Sequence, residues 1–230
     1  MGNDIVLKVR NLNVELEGEK IICNLSFEVK RGEVLTILGP NGAGKTVLLK
    51  TLLGIFPYKG EIEWESGVKI GYVPQRVPFV KDVPMNIEEF FTLKGIKRET
   101  KEIIKLVGFD ENFLKKNIGE LSSGQYQRIL VAWALIGNPD VLLFDEPTTG
   151  IDITGKETIY QLLERLKNEK KLTIILVTHD LSVVYKFSDR VICLNKCPVC
   201  QGTPKEVLSP EILSKLYGQE VKFYEHYHQH

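Results

Sequence analysis

The stretch GPNGAGKT, residues 39–46, decides the fold. It follows EVLTILG (residues 33–39), a short continuous apolar run of the kind that forms a strand covered on both faces. It opens a segment expected to be helical from Lys45 to about Ile55. A strand, a glycine-rich turn and a helix N-terminus in that order make a cradle for phosphate. Glycines let backbone N–H groups turn inward around a β-phosphate, and the helix dipole adds a favourable field. Lys45 is expected to reach the β- and γ-phosphates, and the Thr46 hydroxyl to ligate Mg²⁺. Gly39, Pro40, Asn41, Gly42, Ala43, Gly44, Lys45, Thr46 and Val47 are the expected contacts of a bound nucleoside triphosphate.

A second stretch supplies what the cradle lacks. VLLFDEP (residues 141–147) is an apolar strand that ends in two acids. Asp145 at the strand end is placed to hold Mg²⁺. Glu146, the next residue, is placed to polarise an attacking water as general base.

Composition bounds the rest. The 230 residues carry 30 basic and 30 acidic side chains, so no net charge draws the chain to nucleic acid. The longest apolar run, ILVAWALIG (residues 129–137), is far short of the roughly 20 residues that span a bilayer. The start, MGNDIVLKVR, has no secretory pattern. Four cysteines do not suggest a disulfide framework: Cys23 and Cys193 read as buried strand positions, and Cys197 and Cys200 form CPVC. A cytosolic chain is expected, with any membrane role requiring a separate partner.

Strands and helices alternate along most of the length. VKIGYVPQ (68–75) and TIILVTHD (173–180) read as further strands. Residues 83–119 turn helical, with Ile103, Ile104, Leu106 and Val107 on one stripe. SPEILSKLYG (209–218) has Ser209 as cap, Pro210 at the first helical position and Gly218 past the end. The first 30 residues and residues 61–65 look antiparallel, which predicts a mixed β edge beside a parallel core.

LSSGQYQR (residues 121–128) carries a resemblance. Ser122 and Gln125 fit the S-x-x-Q capping box that starts a helix. The stretch is also a variant of the L-S-G-G-Q signature of the ATP-binding-cassette (ABC) ATPases. The resemblance covers roughly residues 5–218. It implies an α/β fold: a P-loop NTPase core with a mixed β sheet, an antiparallel β edge subdomain and a helical insert. It implies one domain over 1–230, with 1–75 and 141–205 as nucleotide-binding core, 76–140 as helical subdomain and 206–230 as C-terminal helix and tail. By the same resemblance, Ser122, Ser123, Gly124 and Gln125 bind the γ-phosphate of ATP held by a partner subunit. Gln75 touches Mg²⁺ and the attacking water, Asp152 in TGID contacts the partner, and His179 contacts the γ-phosphate. Two positions depart from the family pattern: Ser123 stands where glycine is usual, and Leu16 where an aromatic residue usually stacks on adenine.

Fewer than 80 residues separate Thr46 from Leu121, without sustained heptads, so the chromosome-organising relatives with a long coiled coil do not fit. The resemblance points to the separate ATPase subunit of an importer, peripheral on the cytoplasmic face of the cell membrane. Its cofactors would be ATP and Mg²⁺. Its partners would be a second copy of itself, a permease docked at the helical subdomain (with its insert at 77–95) and, indirectly, an external solute-binding protein; nucleic acid is not among them. An importer ATPase for another solute such as an iron chelate, and a soluble ATPase of iron–sulfur assembly, remain as alternatives. Residues 75–91 and 202–218 look most like the ATPases of zinc and manganese importers. Cys197 and Cys200 are at the spacing of half a tetrahedral Zn²⁺ site, and His226, His228 and His230 alternate in the tail FYEHYHQH. The thiolate pair, the histidine tail, or the two jointly are the expected regulatory metal ligands.

Overall fold

The computed structural model describes residues 4–75, 84–95, 100–147 and 153–218. In chain order the strands and helices are β1 Ile5–Leu16, β2 Glu19–Lys30, β3 Val34–Leu38, α1 Lys45–Leu52, β4 Lys59–Trp64, β5 Ile70–Val73, α2 Ile87–Thr92, α3 Thr100–Leu106, α4 Ser123–Leu135, β6 Val141–Asp145, α5 Ile153–Lys170, β7 Thr173–Thr178, α6 Leu181–Phe187, β8 Arg190–Asn195, β9 Cys197–Gly202, α7 Pro204–Val207 and α8 Pro210–Tyr217. The expected α/β architecture with mixed strand pairing is present. The described residues form two compact units, one within 4–8, 28–34 and 63–177, the other within 9–27, 35–62 and 178–218.

β1, β2 and β4 form a three-stranded sheet in the order β2-β1-β4. A two-residue turn, Glu17-Gly18 with both φ values positive, folds β2 back on β1. Turns of this kind match the twist of antiparallel strands. The expected antiparallel subdomain is therefore this sheet.

The first unit is built on three parallel strands. β6 pairs with β5 on one side and β7 on the other. Residues 141–144 of β6 and 174–177 of β7 are almost completely buried. Continuous apolar runs are what a two-sided strand needs, and each fully buried Leu or Ile contributes about 1.5–3 kcal/mol. Within the helical stretch the described residues form α2, α3 and the 3₁₀ turns Glu111–Lys115 and Ile118–Glu120, before α4. Of the expected stripe, Ile103, Ile104 and Val107 are buried.

In the second unit, β3 runs parallel to β8, and β9 runs antiparallel to β8 along its other edge. β9 holds CPVC and was not expected as a strand. Its pairing with β8 shifts register between Cys193 and Leu194. An apolar cluster of Leu38, Val184, Val191, Cys193, Val207, Leu213 and Leu216 closes this unit. α8 starts and ends as its sequence demands, with Ser209 Oγ accepting from Ile212 N–H and Gly218 left-handed. α1 ends at Leu52, three residues before the expected Ile55. Gly54 turns left-handed there, and the Ile55 N–H returns to the Lys50 carbonyl.

Candidate functional site: the phosphate loop and the paired acids

The phosphate loop lies in the second unit. Gly39 ends the β3 segment, and a Cβ there would overlap the Leu194 carbonyl. Gly44 is the N-cap of α1 at φ 92°, a conformation that favours glycine. No side chain caps α1, and its first turn holds no carboxylate. The positive end of the helix thus keeps its field for an anion. Lys45 is buried, and its ammonium donates to the carbonyls of Gly39 and Pro40, each at 2.9 Å. The charge is thereby held inside the loop. Thr46 and Val47 follow in the first turn, both half-buried. Asn41 and Gly42 are exposed, and Leu16 is half-buried at the end of β1. His179 is exposed, between Thr178 of β7 and Asp180, the N-cap of α6. Asp180 accepts from Ser182 N–H at 3.0 Å, and its own N–H donates to Thr178 Oγ1 at 3.0 Å. These bonds fix the turn that carries His179.

The acids lie in the first unit. Asp145 is buried at the end of β6 and accepts from the Tyr72 hydroxyl at 3.3 Å. Burial, and then the Asp145 charge, push Tyr72 well above its ordinary value. The phenol therefore stays a donor. Glu146 follows at φ 44°, a left-handed conformation that is costly for a glutamate. Its N–H donates to the Val177 carbonyl at 3.0 Å, and its carboxylate accepts from Gln75 Nε2 at 2.8 Å. Adjacent strands β5 and β6 thus bring Gln75 and Glu146 together. Tyr72 was missed by sequence reasoning; its only signal was its place in a strand two residues before ProGln. Tyr72→Phe is expected to cut ATP hydrolysis severalfold, the loss of roughly one hydrogen bond of about 1 kcal/mol. An unchanged rate would show that the hydroxyl does not position Asp145.

The signature opens α4. Ser122 Oγ accepts from Gln125 N–H at 3.2 Å, and Gln125 Oε1 accepts from Ser122 N–H at 3.1 Å. The capping box is formed as its spacing predicts. Ser123 is exposed and Gly124 half-buried, so the serine in place of glycine crowds nothing in its own unit.

The cysteines correct the sequence reading. They form two disulfides, Cys23–Cys197 and Cys193–Cys200, and no thiol is free. Cys23 is half-buried rather than buried, whereas Cys193 is buried as expected. Cys197 and Cys200 therefore offer no thiolate pair for Zn²⁺. Each sulfur is taken by a cysteine outside the CPVC stretch, Cys197 by Cys23 of β2 and Cys200 by Cys193 of β8. Among the described residues no group of three or more His, Cys, Asp or Glu is placed to hold a metal ion. His226, His228, His230, Asp152 and the insert residues 77–83 lie outside the described residues. Among the described residues no helix is long and apolar enough to cross a membrane.

A strand–loop–helix phosphate cradle together with a strand ending in buried Asp and Glu defines a P-loop nucleotide hydrolase. Residues 22–149, more than half of the chain, match the family described as ABC transporter. The chain belongs to that family and is an ATP-binding ATPase of it. It is 37% identical over 236 residues to the zinc import ATP-binding protein ZnuC of Brucella abortus (strain 2308), covering all of this chain and 79% of that protein. Against ZnuC of Ehrlichia canis (strain Jake) it is 38% identical over 221 residues, covering 94% and 91%. Among solved structures, cbiO1 from Clostridium perfringens, part of the ABC transporter complex cbiONQ, superposes with a TM-score of 0.79 at 29% identity, covering 93% and 94%. The bacterial ABC transporter cassette MJ0796, solved as a dimer, matches with a TM-score of 0.73 at 26% identity, covering 86% and 98%.

Proposed function

We propose that this chain is the ATPase subunit of an importer for a divalent metal, zinc first, and that it works as a homodimer under a membrane permease. One observation carries the hydrolytic part: the buried Glu146 carboxylate, directly after Asp145, is oriented by the Gln75 amide. In this reading Glu146 takes the proton of the attacking water, Gln75 positions that water, and Lys45 binds the transferred phosphate. Thr46, Gln75 and Asp145 would hold Mg²⁺; a hydroxyl, an amide oxygen and a carboxylate are the hard oxygen donors that this ion takes. Bound there, Mg²⁺ neutralises charge that develops on the phosphates. Ser122 to Gln125 of the second copy would close over the γ-phosphate, His179 would contact it, and Asp152 would reach the partner.

The metal is supported by similarity along the whole chain to proteins named for zinc import. The permease would dock at the helical subdomain, residues 76–140, with a solute-binding protein acting from outside. The chain would then sit peripherally on the cytoplasmic face. The test begins with detergent-solubilised native membranes. The chain is captured, its companions are identified, and ATPase activity of the complex is followed through zinc, manganese and iron-chelate titrations. A polytopic companion and stimulation by zinc over the other solutes are expected. Capture without any membrane protein, or equal response to all three solutes, would sink the metal-importer reading.

A further inference from the structure

The phosphate loop is held from two sides, both within the second unit. On one side, a Cβ at Gly44 would lie 2.9 Å from the Ile21 carbonyl of β2, so the loop is pressed against that strand. On the other, the Ala43 carbonyl accepts from the Lys196 N–H at 3.0 Å. Lys196 is the single residue between β8 and β9, left-handed at φ 59°. Its carbonyl accepts from Cys23 N–H at 3.1 Å, and its ammonium pairs with Glu19 at 2.5 Å. The turn at Lys196 therefore bridges β2 and the loop. The Cys23–Cys197 disulfide ties β2 to this turn, not to the loop itself. Cys23 lies two residues past Ile21, and Cys197 is next to Lys196, with their Cα atoms 4.9 Å apart.

We infer that Cys23–Cys197 is a thiol–disulfide switch on the phosphate loop, which fixes the Lys196 turn against Ala43 when formed and loosens the nucleotide cradle when reduced. The two disulfides are not equivalent. Cys197 is exposed and Cys23 half-buried, whereas Cys193 sits inside the apolar cluster with Leu38, Val184 and Leu213. Exchange requires access to a sulfur. The Cys193–Cys200 bond, seven residues apart across one hairpin, pairs a buried cysteine with a half-buried one and is the less reachable of the two. The Cys23–Cys197 bond spans 174 residues and is the reachable one.

A dithiol reductant completes the chemistry. One of its thiolates attacks Cys197 Sγ, the sulfur–sulfur bond breaks, and Cys23 leaves as thiolate. The second thiolate of the reductant then attacks the mixed disulfide, releases Cys197 and closes the reductant's own disulfide. Two electrons and, after protonation, two protons end on Cys23 and Cys197. Without the covalent tie, the Lys196 turn is joined to β2 by the Cys23 N–H bond and the Glu19 pair.

The inference rests on nucleotide binding at the loop, and one calorimetric experiment separates the two. ADP is titrated into the full chain in oxidised form, after mild dithiothreitol treatment, and after reoxidation with glutathione disulfide. Free thiols are counted at each step. Appearance of two thiols with about tenfold weaker ADP binding, reversed on reoxidation, is expected, the loss of roughly one hydrogen bond of preorganisation. A Cys23→Ser/Cys197→Ser variant with unchanged circular dichroism is expected to bind weakly in every state. Equal affinity before and after two thiols appear would overturn the switch. So would four free thiols in protein equilibrated with glutathione disulfide. No ADP binding in any state would overturn both the switch and the site. If the serine variant does not fold, the reduction cycle of the parent chain still decides.

Discussion

Glu146→Gln is expected to bind ATP as the parent chain does and to hydrolyse it roughly 10²–10⁴-fold more slowly, the range that a positioned general base contributes. The substitution keeps the volume and leaves an oxygen to accept from Gln75 Nε2, as the carboxylate does at 2.8 Å. The left-handed backbone and the N–H bond to Val177 are untouched by it. What is lost is the capacity to take a proton. Because the nucleotide then persists, closed dimers are expected to accumulate with ATP and to be absent with ADP. Single-turnover hydrolysis reads the first effect, and light scattering after size exclusion reads the second. Hydrolysis at the parent rate would remove Glu146 from the role of base.

Lys45→Ala is expected to weaken ATP binding roughly 10- to 100-fold, the worth of a charge-assisted hydrogen bond. The ammonium is buried and bonded to the Gly39 and Pro40 carbonyls. Its removal takes the one fixed cation from the loop, while the helix field at Gly44 remains to bind phosphate weakly. The fold should survive, because β3 and α1 are held by Leu38, Leu48 and Leu49 rather than by the lysine. Calorimetric titration with ATP, alongside a thermal melt, distinguishes a lost contact from a lost fold. An unaltered ATP affinity would mean that nucleotide binds elsewhere.

Much of the site was legible because its chemistry is local in the chain. The cradle needs eight consecutive residues between a strand and a helix. The two acids need only the strand that precedes them. Ser122 and Gln125 cap α4 across three positions, and Ser209, Pro210 and Gly218 bound α8 for similarly short-range reasons. None of these depends on which other segments lie nearby. The end of α1 was misplaced by three residues because apolar periodicity continued through Ile55 while Gly54 had already turned the backbone.

The sequence by itself thus determined the family, the strand–loop–helix around GPNGAGKT, the strand that ends at Asp145 and Glu146, and the cap of α4. Tertiary structure decided which side chains meet. Strand register sets Gln75 beside Glu146 and Tyr72 beside Asp145, and no spacing in the chain encodes that register. It also decided the cysteines. CPVC reads as a pair by spacing, yet Cys197 joins Cys23 and Cys200 joins Cys193. A disulfide needs two cysteines whose Cα atoms the fold brings to about 4.4–6.8 Å, and the folding of β8 and β9 against β2 is a property of the packed core rather than of any short stretch of chain.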